Sequence, residues 1–151
     1  MENVWLTPEW LLDRIRFALG GQIDLDPCTQ PDNPCKATDF IATPDDGILL
    51  PWSTGRVFCN PPFSAATAHH WVDKCLVARS GGSTVILLLP LRLETKALQT
   101  ALRYADETLI FSGRIAFQGM TRHTALPCVL FSFGVSLKSM ADLGVVLACA
   151  A

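Results

Sequence analysis

The chain has 151 residues, half of them hydrophobic and 17% charged, which suffices for one domain with a real core and excludes disorder. A formal net charge of −2 gives by itself no indication of a nucleic-acid partner. Residues 1–75 carry five basic and ten acidic side chains and residues 76–151 carry seven and four, so either a polyanion approaches the second half or the asymmetry is accidental.

Helices and strands alternate along the predicted chain. Thr7 is predicted to cap a helix that has Pro8 at its first position, and the strand that follows is predicted to break at Pro27. The pattern predicts helices at 8–19, 67–78 and 94–104 and strands at 23–26, 39–42, 56–60, 85–89, 107–111, 115–117 and 128–133. We therefore expect one α/β domain over residues 1–151, Rossmann-like, with a mostly parallel sheet and a closing antiparallel hairpin.

Several classes of protein are disfavoured by what the sequence contains. The six cysteines are scattered without a CxxC pair, which indicates reduced thiols rather than disulfides or a zinc site. His69 and His70 are neighbours on a predicted helix and point about 100° apart, so we expect no metal. No apolar run reaches the ~20 residues that span a bilayer, and the first residues do not resemble a signal peptide. A soluble, cytoplasmic protein without membrane contact is expected.

The tetrapeptide Asn60-Pro61-Pro62-Phe63 ends a predicted strand. Ligands of open α/β sheets bind beyond the carboxyl ends of strands, so we predict a catalytic role for these four residues. The side-chain oxygen of Asn60 and the carbonyl of Pro61 can each accept one N–H of a planar amino group, which favours methylation of that nitrogen without a general base. The prolines fix φ, and Phe63 offers a face for a flipped base. The alternative is a simple strand-terminating turn.

This tetrapeptide resembles the catalytic motif of amino-methyltransferases, which has Asp or Asn, two prolines, and Tyr or Phe. Thr7-Pro8 looks like the segment with which N6-adenine methyltransferases hold the methionine part of their cofactor, and Asp26-Pro27-Cys28 looks like their cofactor motif. Over residues 5 to about 133 the chain resembles the phage-type DNA N6-adenine methyltransferase family, through Trp5-Leu6-Thr7-Pro8, Asp26-Pro27-Cys28, Asp46-Gly47, Trp52, the tetrapeptide, Pro90, Arg92, Thr95 and Gly113-Arg114-Ile115-Ala116-Phe117.

The resemblance implies a class I fold, S-adenosylmethionine as cofactor, a phage or prophage origin, and transfer of a methyl group to N6 of adenine in DNA. Asp26 is expected to pair with the ammonium group of the cofactor and Asp46 to accept from its adenosine part; Asp39 is a rival for the second role. Either Asp26 or Asp46 could instead be a turn former. Cofactor contacts are thus expected at Thr7, Pro8, Asp26, Pro27, Cys28 and Asp46, and contacts to DNA phosphates at Arg92, Lys96, Arg114 and Arg122.

Two departures from the usual methyltransferase pattern leave alternatives open. The glycine-rich turn after the first strand is replaced by residues 28–33, and there is no separate target-recognition domain, so loops such as 119–127 would supply any sequence specificity. One alternative is a methyltransferase for a protein glutamine amide, which is also a planar nitrogen. Another is a non-catalytic module that binds DNA or protein. Measurement of cofactor binding would separate the enzymes from the binding module.

Overall fold

The computed structural model describes residues 5–119 and 125–149. In these two ranges the helices are α1 (Glu9–Ala18), α2 (Ala68–Ser80) and α3 (Lys96–Tyr104), with a 3₁₀ helix at Lys138–Leu143. The strands there are β1 (Leu25–Thr29), β2 (Asp39–Ala42), β3 (Arg56–Cys59), β4 (Thr84–Pro90), β5 (Glu107–Ile115), β6 (Leu126–Phe133) and β7 (Gly144–Ala148). None of the described helices has the length and hydropathy needed to cross a membrane.

The described strands form one sheet in the order β2-β1-β3-β4-β6-β5-β7. The first four strands in this order pair in parallel, and β6, β5 and β7 add antiparallel pairs. The expected mixed sheet, parallel in its centre and closed by the antiparallel pair β5–β6, is therefore confirmed. Four parallel strands bring their carboxyl ends to one edge.

Both faces of the sheet are covered by helices. Side chains alternate along β4, so that Ile86 and Leu88 pack beneath α1 and the 3₁₀ helix, while Val85, Leu87 and Leu89 pack beneath α2 and α3. All five are at most 1% exposed. This double coverage explains why β4 reads as a continuous apolar run rather than as an alternating pattern.

The prediction that the first strand breaks at Pro27 is wrong. Strand β1 continues through Pro27 to Thr29, with an irregular register to β2 between Asp26 and Thr29. On its other side, β1 pairs with β3 only at Leu25↔Val57. Pro27 therefore lies beyond the point where β1 and β3 pair, and its missing N–H costs no hydrogen bond to β3.

The predicted N-cap of α1 is also wrong. Pro8 occupies that position in an extended conformation, and no side chain caps the helix. The Thr7 hydroxyl accepts instead from the side-chain amide of Asn60. The N-cap preference of threonine predicted a hydrogen bond to the adjacent helix, but the hydroxyl instead accepts from a residue 53 positions away.

Two differences concern the second half of the sheet. The strand-like pieces 107–111 and 115–117 are largely one strand, β5, whose register to β6 shifts between Ile110 and Arg114. Strand β7 was not predicted; it pairs antiparallel with β5 at the edge of the sheet. Gly144 allows this pairing to begin, because a Cβ there would collide with the carbonyl oxygen of Ile110.

Candidate active site

A cleft of about 340 Å³ opens at the carboxyl ends of the parallel strands, a size typical of small-molecule sites. Its floor is formed by the end of β1 and by the residues that follow β3. One wall is the N-terminal segment Trp5-Leu6-Thr7, and the other is the loop after β2. The lining residues are Trp5, Leu6, Thr7, Leu12, Asp26, Pro27, Cys28, Thr29, Gln30, Pro34, Cys35, Ile41, Thr43, Pro44, Asp45, Asp46, Gly47, Ile48, Asn60, Pro61, Pro62, Thr67 and Trp71.

The side-chain amide of Asn60 is held in one orientation at this cleft. Its nitrogen donates to the carbonyl oxygen of Trp5 and to the hydroxyl of Thr7, each over 2.9 Å. A backbone carbonyl only accepts hydrogen bonds, so the nitrogen must face Trp5 and the oxygen must face the other way. That oxygen, Oδ1, is buried and has no partner among the described residues. Buried acceptors are normally satisfied, so the unpartnered Oδ1 makes Asn60 a candidate ligand-binding residue.

The two prolines differ in what their carbonyls do. The amide of Ser64 donates to the carbonyl of Pro62 over 2.8 Å. No such donor to the Pro61 carbonyl is found among the described residues. Of the two, the Pro61 carbonyl is thus the candidate ligand acceptor, and it lies one residue from the unpartnered oxygen of Asn60.

Asp26 is a buried carboxyl group in the floor of the cleft, and only 3% of it is exposed. Burial raises its pKa, because a charged group is disfavoured away from water; hydrogen bonds from Cys35, from the Cys28 amide (3.3 Å) and from Thr29 act in the opposite direction. None of the ion pairs among the described residues involves Asp26. The site thus contains an acid that lacks a cationic partner.

Cys35 was not anticipated as part of the site. Burial raises the pKa of its thiol, so the sulfur stays protonated and donates to Asp26. Arg16 holds this part of the chain in place, because its Nη2 donates to the carbonyl of Cys35 over 3.0 Å. No local pattern in the sequence indicates the contact between Arg16 and Cys35, since these residues are 19 positions apart and meet only through the fold.

The loop after β2 places Asp46, and not Asp39, at the cleft. Asp39 begins β2 at the opposite end of the strand, where its carboxylate accepts from the amide of Phe40 and the hydroxyl of Ser53. Asp46 is exposed, and one of its oxygens accepts from the amide of Ile48 over 2.9 Å. It is therefore a turn former that also faces the cleft.

The other predicted cofactor residues lie at different depths. Thr7, Pro27 and Cys28 line the cleft, whereas Pro8 is buried and does not. The Pro8 carbonyl accepts from Leu11 and Leu12 at the start of α1. Pro8 thus supports the wall that Thr7 presents to the cleft.

The last residue of the tetrapeptide lies in an aromatic cluster with Trp5 and Phe117. The Phe63 ring is nearly parallel to that of Trp5, with centroids 6.4 Å apart, and meets Phe117 edge-on at 5.6 Å. Its predicted stacking on a base stays a prediction. Trp5 is a second residue of the site that the sequence did not single out for a role of its own.

The predicted DNA contacts occupy different parts of the surface. Arg92 lies near the tetrapeptide, since it lines a small pocket together with Pro62 and Phe63. Lys96 begins α3, and Arg114 is exposed near the end of β5. Arg122 and most of the loop 119–127 lie outside the described residues. Among the described side chains, no group of three or more His, Cys, Asp or Glu could hold a metal ion.

The fold and the cleft define an α/β protein with a candidate ligand site at the carboxyl edge of its parallel strands. Residues 1–127 match the family model described as DNA N-6-adenine-methyltransferase (Dam). The chain therefore belongs to this family of DNA adenine methyltransferases, which confirms the resemblance seen in the sequence. No curated protein gave a significant match.

Proposed function

We propose that the chain transfers a methyl group from S-adenosylmethionine to the N6 amino group of adenine in DNA. The observation that carries this proposal is the buried, unpartnered Oδ1 of Asn60 beside the unused carbonyl of Pro61. Two acceptors on neighbouring residues can accept the two N–H bonds of a planar amino group. Family membership supplies the class of substrate.

The chain's own residues would act by orienting the target nitrogen. An exocyclic amino nitrogen is a weak nucleophile, because its lone pair is delocalised into the ring. Hydrogen bonds to Asn60 Oδ1 and to the Pro61 carbonyl favour a pyramidal nitrogen with a localised lone pair. Both acceptors are held before the substrate arrives, so little reorganisation is needed. No general base is required to make the nitrogen attack.

The residues at the other end of the cleft suit the proposed cofactor. S-adenosylmethionine, when bound, supplies an electrophilic methyl group on a sulfonium. Its ammonium group would offset the uncompensated burial of the Asp26 carboxylate. We assign Thr7 and the floor residues Pro27 and Cys28 to its surroundings, Asp46 to its adenosine part, and Pro8 to the support of Thr7. The resulting fold would be the Rossmann-like one of class I methyltransferases.

A protein glutamine amide presents the same planar nitrogen, so the two acceptors alone do not separate it from adenine. Family membership favours adenine. A purely binding module has no use for a buried acceptor left without a partner, since such an acceptor costs free energy.

Two substitutions test the proposal, because one should affect the rate of methyl transfer and the other the binding of the cofactor. Asn60→Ala should lower the rate of methyl transfer by about 10²–10³, as removal of one preorganised oxyanion-hole donor does, and leave cofactor affinity nearly unchanged. Asp26→Ala should instead weaken cofactor binding measured by calorimetry. If both variants lose cofactor binding equally, or if Asn60→Ala keeps the parent rate, the assignment of the two ends of the cleft is wrong.

A further inference from the structure

We propose that Thr7 is a positioning residue for the Asn60 amide, which goes beyond the cofactor contact expected of it and rests on the proposed function. An asparagine amide has two ends of nearly equal size but opposite hydrogen-bonding character. The proposed reaction needs the oxygen toward the target nitrogen. The structure assigns the choice between the two orientations to the Trp5 carbonyl, which can only accept, and it assigns to the Thr7 hydroxyl the second hydrogen bond that holds Nδ2 in place.

Burial makes the hydrogen bond from Asn60 to Thr7 hard to replace. Thr7 is only 5% exposed, so water has little access to replace its hydroxyl. Removing that hydroxyl would leave one proton of Nδ2 without a partner in a buried position, which is unfavourable. The remaining bond to Trp5 allows the amide to tilt, and Oδ1 then leaves the position in which it meets the target N–H.

The Trp5 carbonyl, which is the other acceptor for Nδ2 of Asn60, is also fixed by the fold. The carbonyl of Leu6, the residue after Trp5, accepts from the amide of Gln118 over 3.0 Å. The ring of Trp5 packs against Phe63 and Phe117. The N-terminal segment is thus anchored to the rest of the protein at Trp5 and at Leu6, next to its contacts with Asn60. Its position, rather than the local sequence around Asn60, sets the direction of the catalytic oxygen.

The test compares Thr7→Val, which keeps the shape of the side chain and removes the hydroxyl, with Thr7→Ser, which keeps the hydroxyl. Thr7→Val should lower kcat for DNA methylation, measured at saturating S-adenosylmethionine, about tenfold, which is the effect of one buried hydrogen bond. Thr7→Ser should recover most of the lost rate. If Thr7 only binds the cofactor, Thr7→Val should raise the Kd for S-adenosylmethionine and leave kcat at saturating cofactor unchanged.

A readout without catalysis separates this inference from the proposed function. In the ligand-free protein, the side-chain NH₂ signals of Asn60, assigned by their loss in Asn60→Ala, should shift and exchange faster in Thr7→Val but not in Thr7→Ser. Signals unchanged in Thr7→Val would overturn the positioning role even if the parent methylates DNA. If the signals change as expected and the parent methylates no DNA, the contact stands and the proposed function fails.

Discussion

Gly47 lies directly against the backbone carbonyl of Pro27, so that a Cβ at position 47 would collide with that oxygen and also touch the ring of Trp71. This contact joins the loop after β2 to the end of β1, and both residues line the cleft. The Gly47 carbonyl is held in turn, since it accepts from Nε1 of Trp52 over 2.8 Å. The glycine is required for close approach rather than for an unusual φ.

Gly47→Ala should therefore both destabilise the protein and weaken cofactor binding, because the loop must move away from β1. We expect a loss of about 1–3 kcal/mol in the free energy of unfolding, as for overpacking in a core. Thermal unfolding and calorimetry would measure the two effects. Gly81→Ala is the matched control, because a Cβ there makes only ordinary contacts, the nearest at 3.5 Å, and should change neither quantity.

Asp26→Asn should raise the free energy of unfolding at neutral pH by about 1 kcal/mol or more while abolishing tight cofactor binding, because it removes a buried charge that lacks a partner. The folded pKa of Asp26 lies above its unfolded value, so the folded parent binds the proton more tightly. Its stability therefore falls as pH rises through the interval between the two pKa values. Urea unfolding of both proteins at pH 7.5 and pH 4 should show the difference shrinking at acid pH. A difference that is the same at both pH values would contradict the explanation.

Asn60→Asp should give an enzyme whose activity increases as pH falls. An ionised carboxylate cannot donate to the Trp5 carbonyl, which lies 2.9 Å from Nδ2 in the parent. The Thr7 hydroxyl could turn and donate, but the repulsion from Trp5 would remain. The protonated acid can donate to Trp5 and present its other oxygen to the target.

The measured quantity is the ratio of Asn60→Asp to parent rates between pH 5.5 and 8.5. We expect a deficit of about a hundredfold at the alkaline end that narrows as the acid is protonated. Dividing by the parent rate removes the titration of Asp26, which both proteins share. A ratio independent of pH would show that Trp5 does not set the identity of residue 60.

Arg92→Ala should weaken DNA binding and make the DNA affinity less dependent on salt concentration. Arg92 is exposed, forms no ion pair with the described carboxylates, and lies beside Phe63. Loss of one phosphate contact should reduce the slope of log K against log salt by about 0.9. Arg103→Ala is the control, since Arg103 lies in the last turn of α3. Equal slopes for both variants would remove Arg92 from the DNA interface.

The sequence was most informative where a local pattern decides the structure. The apolar run of β4 predicted a buried central strand, and the tetrapeptide after β3 predicted the edge at which the cleft lies. Both predictions depend only on neighbouring residues and on the geometry of parallel sheets.

Contacts over long separations could not be predicted in this way. Thr7 had an obvious local role as a helix cap, yet its hydroxyl serves Asn60, 53 residues away. The Trp5 contact uses a backbone carbonyl, which leaves no trace in the identity of the side chain. Pro27 suggested that the first strand ends there. Strand β1 nevertheless continues, because its pairing with β3 stops before Pro27 and the missing N–H costs no hydrogen bond to β3.

The most direct test of the central claim is the identity of the methylated product. The purified chain would be incubated with S-adenosylmethionine labelled in the methyl group and with unmethylated DNA, and the DNA would be digested to nucleosides for mass spectrometry. We predict label in N6-methyladenine for the parent and at least about a hundredfold less for Asn60→Ala. Label in cytosine, or label in a glutamine peptide with none in DNA, would contradict the account.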